Sequence, residues 1–144
     1  MAHAAQPAFL GAAAADASAD DQQQILLGDE AVARGAIDAG ISAAYAYPGT
    51  PSTEIFQTIQ DQARALGLPV RGLWSTNEKV ALEEGVGVSY AGKRAIVSMK
   101  HVGLNVAADP FMNVAVSGAH GGLVIVVADD PSMHSSQNEQ DSRY

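Results

Sequence analysis

The sequence predicts an α/β domain in which a mostly parallel sheet is covered by helices on both faces. From Ile25 onward, segments with the apolar repeat of a helix alternate with short apolar runs that are typical of strands. The last of these runs, residues 123–128, has no polar side chain. Strands of this kind occur in parallel sheets that are buried on both sides, so we expect three layers with the sheet in the middle.

Length and composition exclude several classes of protein. The 144 residues suit one domain, and the absence of cysteine excludes a thiolate-bound zinc ion, an iron–sulfur cluster and a catalytic thiol within this chain. The net charge is -8 and the eight Lys and Arg residues are scattered, which argues against binding to nucleic acid. No apolar run approaches the roughly twenty residues that span a bilayer. We therefore expect a soluble acidic domain, located in the cytoplasm and not in a membrane.

The first 24 residues differ in composition from the rest of the chain. They are rich in Ala, Gln, Ser and Asp and contain no Lys or Arg, so they resemble neither a secretory signal nor a transit peptide. We predict a disordered extension over residues 1–24, followed by the folded domain over residues 25–144. A transient helix over residues 8–15 is the alternative, because alanine favours helix formation.

The folded part is predicted to begin with a helix and a strand. Apolar residues recur on one face of residues 29–39, and Gly40 follows as a helix terminator. Residues 43–47 form a short apolar strand that ends at Pro48 and Gly49. The polar residues that follow are therefore expected at a junction between a strand and a helix.

A second helix is predicted to follow this junction directly. Thr50 is placed at its N-cap and Pro51 at its first helical position, where the missing N–H costs no hydrogen bond. Its buried face is expected to consist of Ile55, Ile59, Ala63 and Leu66. Gly67 ends this helix, and residues 70–74 form the next strand.

In the second half of the domain, predicted helices again alternate with predicted strands. Asn77 is predicted to cap a third helix that runs to Tyr90. Gly85 and Gly87 reduce its helix propensity, so we expect a partner helix or a ligand to approach this glycine-bearing face closely. The remaining predicted elements are a strand at residues 94–99, a helical region at 105–117 interrupted at Pro110, a strand at 122–128 and a polar loop at 129–144.

Two polar motifs at strand-to-helix junctions form the candidate site. One is the turn at residues 46–54, and the other contains Glu78 in the first turn of the third helix. Taken singly, each has a simpler explanation, because Thr50 and Ser52 can act as helix caps and a helix dipole favours a first-turn carboxylate. Both motifs nevertheless follow strands of one parallel sheet, so they can converge on one crevice, and residues 100–103 after the next strand would join them.

Other familiar motifs do not fit this sequence. Gly85-x-Gly87 lies inside a predicted helix and not in the strand-to-helix turn that a dinucleotide fingerprint requires. Neither a nucleophile elbow nor a phosphate-binding loop is present. His101, His120 and His134 have long, irregular spacings, so we predict no metal site in this chain.

Three stretches of the chain resemble the pyrimidine-binding domain of thiamine-diphosphate-dependent 2-oxoacid:ferredoxin oxidoreductases. They are residues 46–54, residues 77–78 together with 87–95, and residues 122–143. Within that family, the chain is most similar to the amino-terminal part of the alpha subunits of the indolepyruvate branch. The resemblance covers nearly all of residues 25–144 and implies the thiamine-diphosphate-binding fold of the pyrimidine type.

The resemblance also implies a function. The chain would be part of an enzyme that oxidatively decarboxylates aryl 2-oxoacids, such as indolepyruvate, to acyl-CoA and passes electrons to ferredoxin. Glu78 would be catalytic, because a carboxylate hydrogen-bonded to aminopyrimidine N1′ promotes the imino tautomer that deprotonates thiazolium C2. Thr50 and His101 would contact the substrate. The residues expected to bind the pyrimidine half of thiamine diphosphate are Tyr47, Pro48, Gly49, Thr50, Glu78, Lys100 and Gly103.

Several parts of such an enzyme are missing from this sequence. The Mg²⁺-binding motif and the cluster-binding cysteines are expected on regions outside the chain, and a partner subunit or a second copy would complete the site. We therefore expect the chain to be a fragment that is inactive alone. Two alternatives stay open: a subunit of a thiamine-dependent 2-oxoacid decarboxylase or synthase, and a non-catalytic interaction domain that retains the fold.

Overall fold

The computed structural model describes residues 24–134, 136 and 138–143. The predicted disordered extension, with its alternative helix over residues 8–15, lies outside these residues apart from Gln24. Within the described part of the chain, the strands are β1 (Ala43–Ala46), β2 (Arg71–Trp74), β3 (Ala95–Lys100) and β4 (Leu123–Ala128). The helices are α1 (Gly28–Asp38), α2 (Thr53–Ala65), α3 (Glu78–Tyr90), α4 (His101–Val106) and α5 (Ala108–Ser117), and a 3-10 turn covers Pro131–Met133.

The strands form one parallel sheet in the order β2-β1-β3-β4. Ala46, at the end of β1, pairs with Trp74 on one side and with Ser98 on the other. The chain passes from β1 outward to β2 and then returns to β3 on the opposite side of β1. This arrangement confirms the predicted α/β class and makes the sheet entirely parallel among the described residues.

Helices cover both faces of the sheet and create two separate cores. Alternate residues of β1 point to opposite faces, as strand geometry requires. On one face, α1 and α2 pack against Ala44, Ala46 and Ile96 through Ala33, Ile55, Phe56 and Ile59. On the other face, α3 and the α4–α5 connection pack against Ala43, Tyr45, Val97 and Met99 through Ala81, Leu82 and Ala107. Among the described residues, no helix combines the length and apolar character needed to cross a bilayer.

The start of α2 differs from the prediction. The helix begins at Thr53, with Ser52 and not Thr50 at its N-cap, and the Thr50–Pro51 peptide bond is cis. The Ser52 hydroxyl donates to the carbonyl of Gly49 at 2.9 Å, while the N–H of Gly49 donates to the Thr53 hydroxyl at 3.0 Å. These local bonds close a turn before the helix can start, because short hydroxyl side chains compete with helical hydrogen bonding.

The buried face of α2 differs from the predicted pattern at two positions, Phe56 and Leu66. Leu66 is 59 % exposed because the helix ends at Ala65, so its predicted burial was wrong. Phe56 fills the core instead, and its ring centroid lies 4.3 Å from that of Trp74. The predicted burial of Ile55, Ile59 and Ala63 is confirmed.

The region after β3 is more helical than predicted. Helix α4 starts at His101 directly after the strand, and the helical region is interrupted at Ala107 and not at Pro110. Pro110 lies in the first turn of α5, where the backbone N–H groups have no partner within the helix. Proline therefore causes no break at this position.

The two glycines of α3 have different surroundings. A Cβ atom on Gly85 would lie 2.5 Å from Cγ2 of Val97, whereas a Cβ on Gly87 would have nothing within 4 Å. The close neighbour of Gly85 is thus the sheet, and the predicted approach of a partner helix or ligand at this position was wrong. Gly87 is exposed.

Candidate functional site

A cavity of about 310 Å³ opens at the carboxyl ends of β1 and β3. It is lined by Tyr47, Pro48, Gly49, Thr50, Glu78, Lys100 and Val102. The strand order reverses here, because β2 and β3 lie on opposite sides of β1. Open α/β sheets bind ligands in the crevice at such a reversal. The structure thus brings both sequence motifs and the residues after β3 to one cleft.

Glu78 occupies the junction between β2 and α3. It is the first residue of α3, and the Asn77 side chain caps the helix by accepting the Val80 N–H at 2.9 Å. Glu78 is only 9 % exposed, and its exposed surface lines the cavity. None of the residues that the structure describes donates a hydrogen bond to its carboxylate. A buried charge without a partner is costly, so this position favours a ligand that supplies a donor.

Gly103 packs directly against Glu78. A Cβ atom at this position would lie 2.6 Å from Cγ and 2.8 Å from Oε1 of Glu78. This close approach is possible because α4 starts immediately after β3, which brings its first turn under the carboxylate. Gly103 does not line the cavity, so its contribution to the cleft is to leave room for the Glu78 side chain.

The turn after β1 is held by its own hydroxyl groups. Ser52 is almost completely buried, and its bond to Gly49, with that from Gly49 to Thr53, fixes the backbone over residues 49–53. Tyr47 and Thr50 are exposed at the edge of the cleft. The turn therefore presents an aromatic ring and a hydroxyl group from a rigid backbone.

Lys100, the last residue of β3, crosses over this turn. A Cβ atom on Gly49 would lie 3.1 Å from Cβ and 3.6 Å from Cδ of Lys100. The stem of the lysine thus lies against Gly49. Among the described residues that line the cavity, Lys100 is the only cationic one.

A second cavity of about 340 Å³ adjoins the first one at Thr50. It is lined by Leu27, Gly28, Asp29, Thr50, Pro51 and Glu54. Burial raises the pKa of Asp29, and the negative charge of Glu54 adds to the effect. The neighbouring space is therefore acidic, in contrast to the side of the cleft that contains Lys100.

The structure turns His101 away from the cleft. Its side chain is completely buried, and Nε2 lies 2.9 Å from the carbonyl oxygen of Asn138. The amide of Gln140 donates to the carbonyl of His101 at 3.1 Å. His101 does not line the cavity, whereas its neighbour Val102 does. The sequence did not indicate Val102 as a cleft residue, because no pattern predicted that a helix begins at His101.

Among the residues that the structure describes, no group of three or more His, Cys, Asp or Glu side chains could hold a metal ion. The cleft itself offers one carboxylate, one ammonium group, two hydroxyl groups and an apolar wall. The carboxylate and the apolar wall are suited to binding a flat ring that carries a basic nitrogen.

Comparison with known proteins shows which proteins this chain is related to. No protein-family model matches the chain. Indolepyruvate oxidoreductase subunit IorA from Archaeoglobus fulgidus is 58 % identical over 132 residues, which cover 88 % of this chain and 20 % of the relative. The IorA subunit from Pyrococcus horikoshii is 54 % identical over 122 residues, or 85 % of this chain and 18 % of the relative. The chain is homologous to part of indolepyruvate oxidoreductase subunit IorA. It spans about one fifth of the length of the IorA subunits that it matches.

A solved structure supports the same relationship. The 2-oxoglutarate:ferredoxin oxidoreductase from Magnetococcus marinus superimposes with a TM-score of 0.62 and 26 % identity over 74 % of this chain and 18 % of that chain. That structure contains 2-oxoglutarate, coenzyme A and succinyl-CoA. Together with the IorA homology, it confirms the family that the sequence motifs indicated and the predicted fold class.

Proposed function

We propose that this chain binds the aminopyrimidine half of thiamine diphosphate in an enzyme that oxidatively decarboxylates aryl 2-oxoacids to acyl-CoA, with ferredoxin as the electron acceptor. The observation that carries the proposal is the carboxylate of Glu78, which is nine-tenths buried, lines the cleft and has no donor among the described residues. The IorA relatives and the 2-oxoacid oxidoreductase of similar fold support the reaction class.

The residues of the cleft fit the pyrimidine ring. A ring nitrogen that carries a proton requires an anionic acceptor in a site from which water is largely excluded, and Glu78 has both properties. Pro48 and Val102 offer apolar surface for the faces of a flat ring, and Tyr47 adds an aromatic side chain. Gly103 leaves the space that Glu78 occupies.

In this mechanism, residues of the chain orient the cofactor and the substrate, and Glu78 shares a proton with the pyrimidine ring. Thiamine diphosphate, when bound, supplies the nucleophilic carbon and the electron sink for decarboxylation. Glu78 holds the proton at the ring nitrogen, and its burial strengthens this hydrogen bond because the local dielectric is low. The hydroxyl of Thr50 lies on the same cleft and is the donor that we assign to the carbonyl or carboxylate of the 2-oxoacid.

The other parts of the reaction require regions outside this chain. We propose that the remainder of the subunit, or a partner subunit, binds Mg²⁺ and the diphosphate and carries the iron–sulfur clusters, since this chain has no cysteine. The preference for an aryl 2-oxoacid is based on the names of the IorA relatives. Coenzyme A enters the proposal through the bound molecules of the related enzyme.

Replacing Glu78 by glutamine in the complete enzyme tests the proposal. The amide keeps the shape but cannot hold the ring proton, so turnover should fall by about 100-fold or more. Exchange of the C2 proton of bound thiamine diphosphate, followed by NMR, should slow to a similar extent. Glu83→Gln is the matched control, because Glu83 is exposed on the same helix. Normal C2 exchange and turnover in Glu78→Gln would show that Glu78 has no such role.

A further inference from the structure

A polar segment that follows β4 is bound to the start of α4, and the proposed function does not use it. Residues 138–142, which we call the strap, are held at one end by Asp129. The N–H and the hydroxyl of Ser142 each donate to the Asp129 carboxylate at 2.8 Å. Asp129 directly follows β4, and His101 directly follows β3, whose last residue pairs with the last residue of β4. The strap therefore joins the ends of two adjacent strands.

His101 binds the strap from the first position of α4. Its side chain is completely buried, and Nε2 lies 2.9 Å from the carbonyl oxygen of Asn138. Because a carbonyl oxygen only accepts, Nε2 carries the proton and donates it to this bond. Nδ1 is also buried and has no partner within the part of the chain that the structure describes. Among those residues, Asn138 is thus the one hydrogen-bond partner of the ring.

Gln140 adds a second connection between the strap and α4. Its side-chain nitrogen donates to the carbonyl of His101 at 3.1 Å, and its side-chain oxygen accepts from the amide of Asn105 at 2.9 Å. His101 and Asn105 are four residues apart, so they lie one turn apart on the same face of the helix. Gln140 therefore bridges the first turn of α4 from the outside.

The same turn of α4 shapes the cleft. Val102 lines the cavity, and Gly103 lies so close to Glu78 that a Cβ atom on it would be 2.6 Å from Cγ and 2.8 Å from Oε1. A helical turn moves as a unit, so contacts that fix His101 also fix its two neighbours. Neither His101 nor Gln140 lines the cavity. Their influence on the cleft therefore passes through α4.

We propose that His101 is a positioning residue that ties the strap to α4 and thereby keeps Gly103 packed against Glu78. This inference rests on the proposed function, which assigns the proton of the pyrimidine ring to Glu78. Without the bond to Asn138, the first turn of α4 would be held less firmly, and the Glu78 carboxylate would have more than one orientation. A small displacement of a catalytic group lowers the rate because the reacting atoms are no longer aligned.

Three substitutions at His101 test this role in the complete enzyme. Glutamine places an amide donor close to the position of Nε2, whereas asparagine is too short to reach Asn138 and leucine has no donor. In His101→Leu and His101→Asn, kcat and the rate of C2 proton exchange of bound thiamine diphosphate should fall by about 10-fold, with a smaller change in KM for phenylpyruvate. His101→Gln should recover most of this loss.

Ser89→Ala is the matched control for a purely structural effect. Ser89 is also fully buried, and its hydroxyl makes two hydrogen bonds to Gly121, away from the cleft and α4. This variant should lower the melting temperature about as much as His101→Leu, because each loses buried hydrogen bonding. Its C2 exchange should nevertheless remain that of the wild-type enzyme.

Hydrogen–deuterium exchange gives a readout that does not depend on turnover or on bound cofactor. Backbone amides of residues 101–107 should exchange about 10-fold faster in His101→Leu than in the wild-type enzyme, and at nearly the wild-type rate in His101→Gln and Ser89→Ala. Gln140→Ala should also speed this exchange. Because Gln140 is only partly buried, this variant tests the same connection if His101→Leu does not fold.

The outcomes separate this inference from the proposed function. Unchanged α4 exchange and C2 exchange in His101→Leu would overturn the positioning role, while loss of C2 exchange in Glu78→Gln would still support the proposed function. Equal loss of C2 exchange in Ser89→Ala and His101→Leu would also overturn the role, because stability alone would explain it. Normal C2 exchange in Glu78→Gln would instead overturn the proposed function, and faster α4 exchange that glutamine restores would still support the positioning of α4 by His101.

Discussion

The carboxylate of Glu78 lies in surroundings that would normally penalise a negative charge. It is nine-tenths buried and no described residue donates to it, although the first turn of a helix offers a favourable dipole. A dipole contributes at most about 1 kcal/mol at an exposed site, which is less than the cost of burying an unpaired carboxylate. We therefore expect a ligand that supplies a hydrogen-bond donor to stabilise the charged form of Glu78.

Gly103→Ala should disturb the site through Glu78. The added methyl group would lie 2.6 Å from Cγ of Glu78, so the carboxylate must move, and we expect turnover of the complete enzyme to fall by at least about 10-fold. Overpacking should also cost about 1–3 kcal/mol of stability. Gly35→Ala, on α1 with nothing within 4 Å of its new methyl group, is the matched control. Normal turnover in Gly103→Ala would contradict the close packing seen here.

At the scale of elements, the site depends on how strands pass into helices. The turn after β1, the N-terminus of α3 after β2 and the immediate start of α4 after β3 each bring a polar or small side chain to the same edge of the sheet. Buried Ser89 links the last turn of α3 to the connection before β4, because its hydroxyl donates to the carbonyl of Gly121 at 3.0 Å and accepts the N–H of the same residue. These bonds fix the C-terminal end of α3, while the Asn77 cap closes the N-terminal end beside Glu78.

Alanine substitutions at the two glycines of α3 should change stability in opposite directions. In Gly85→Ala the methyl group meets Val97 at 2.5 Å, so the free energy of unfolding should fall by about 1–3 kcal/mol. In Gly87→Ala the methyl group meets nothing, and the higher helix propensity of alanine should raise stability by up to about 1 kcal/mol. Urea unfolding of both variants measures the difference, and equal effects would contradict the packing of α3 on the sheet.

At the scale of the whole molecule, the cleft offers a limited set of binding groups. The described residues supply the turn after β1, Glu78 and Lys100, but no group of three or more possible metal ligands. The chain also matches only about one fifth of the length of its IorA relatives. A cofactor with a diphosphate group would therefore make only part of its contacts with this chain.

The isolated 144-residue chain should consequently bind thiamine diphosphate weakly or not at all. Titration calorimetry with Mg²⁺ present should give no measurable heat at micromolar concentrations, while the complete enzyme should bind under the same conditions. The physical reason is that the contacts of one ring cannot compensate for the entropy lost on ordering the whole cofactor. Tight Mg²⁺-dependent binding to the isolated chain would overturn this expectation.

The sequence by itself was sufficient for the features that depend on local patterns. Within the part of the chain that the structure describes, the alternation of helical and strand periods predicted each strand and the three longest helices to within a few residues, and Asn77 caps α3 as expected. The order of the motifs indicated the family and singled out six of the seven residues that line the cleft, all except Val102. These features follow from spacing along the chain, which a sequence states directly.

Only the tertiary structure decided which side chains meet across the fold. It placed Val102 in the cleft and buried His101 against Asn138, because the register of a helix that starts at the end of β3 sets their directions. It also showed that Gly85 packs against the sheet whereas Gly87 does not, and that Gly103 packs on Glu78. Contacts of this kind join residues that are distant in sequence, and they are set by the packing of whole elements, which no local repeat encodes.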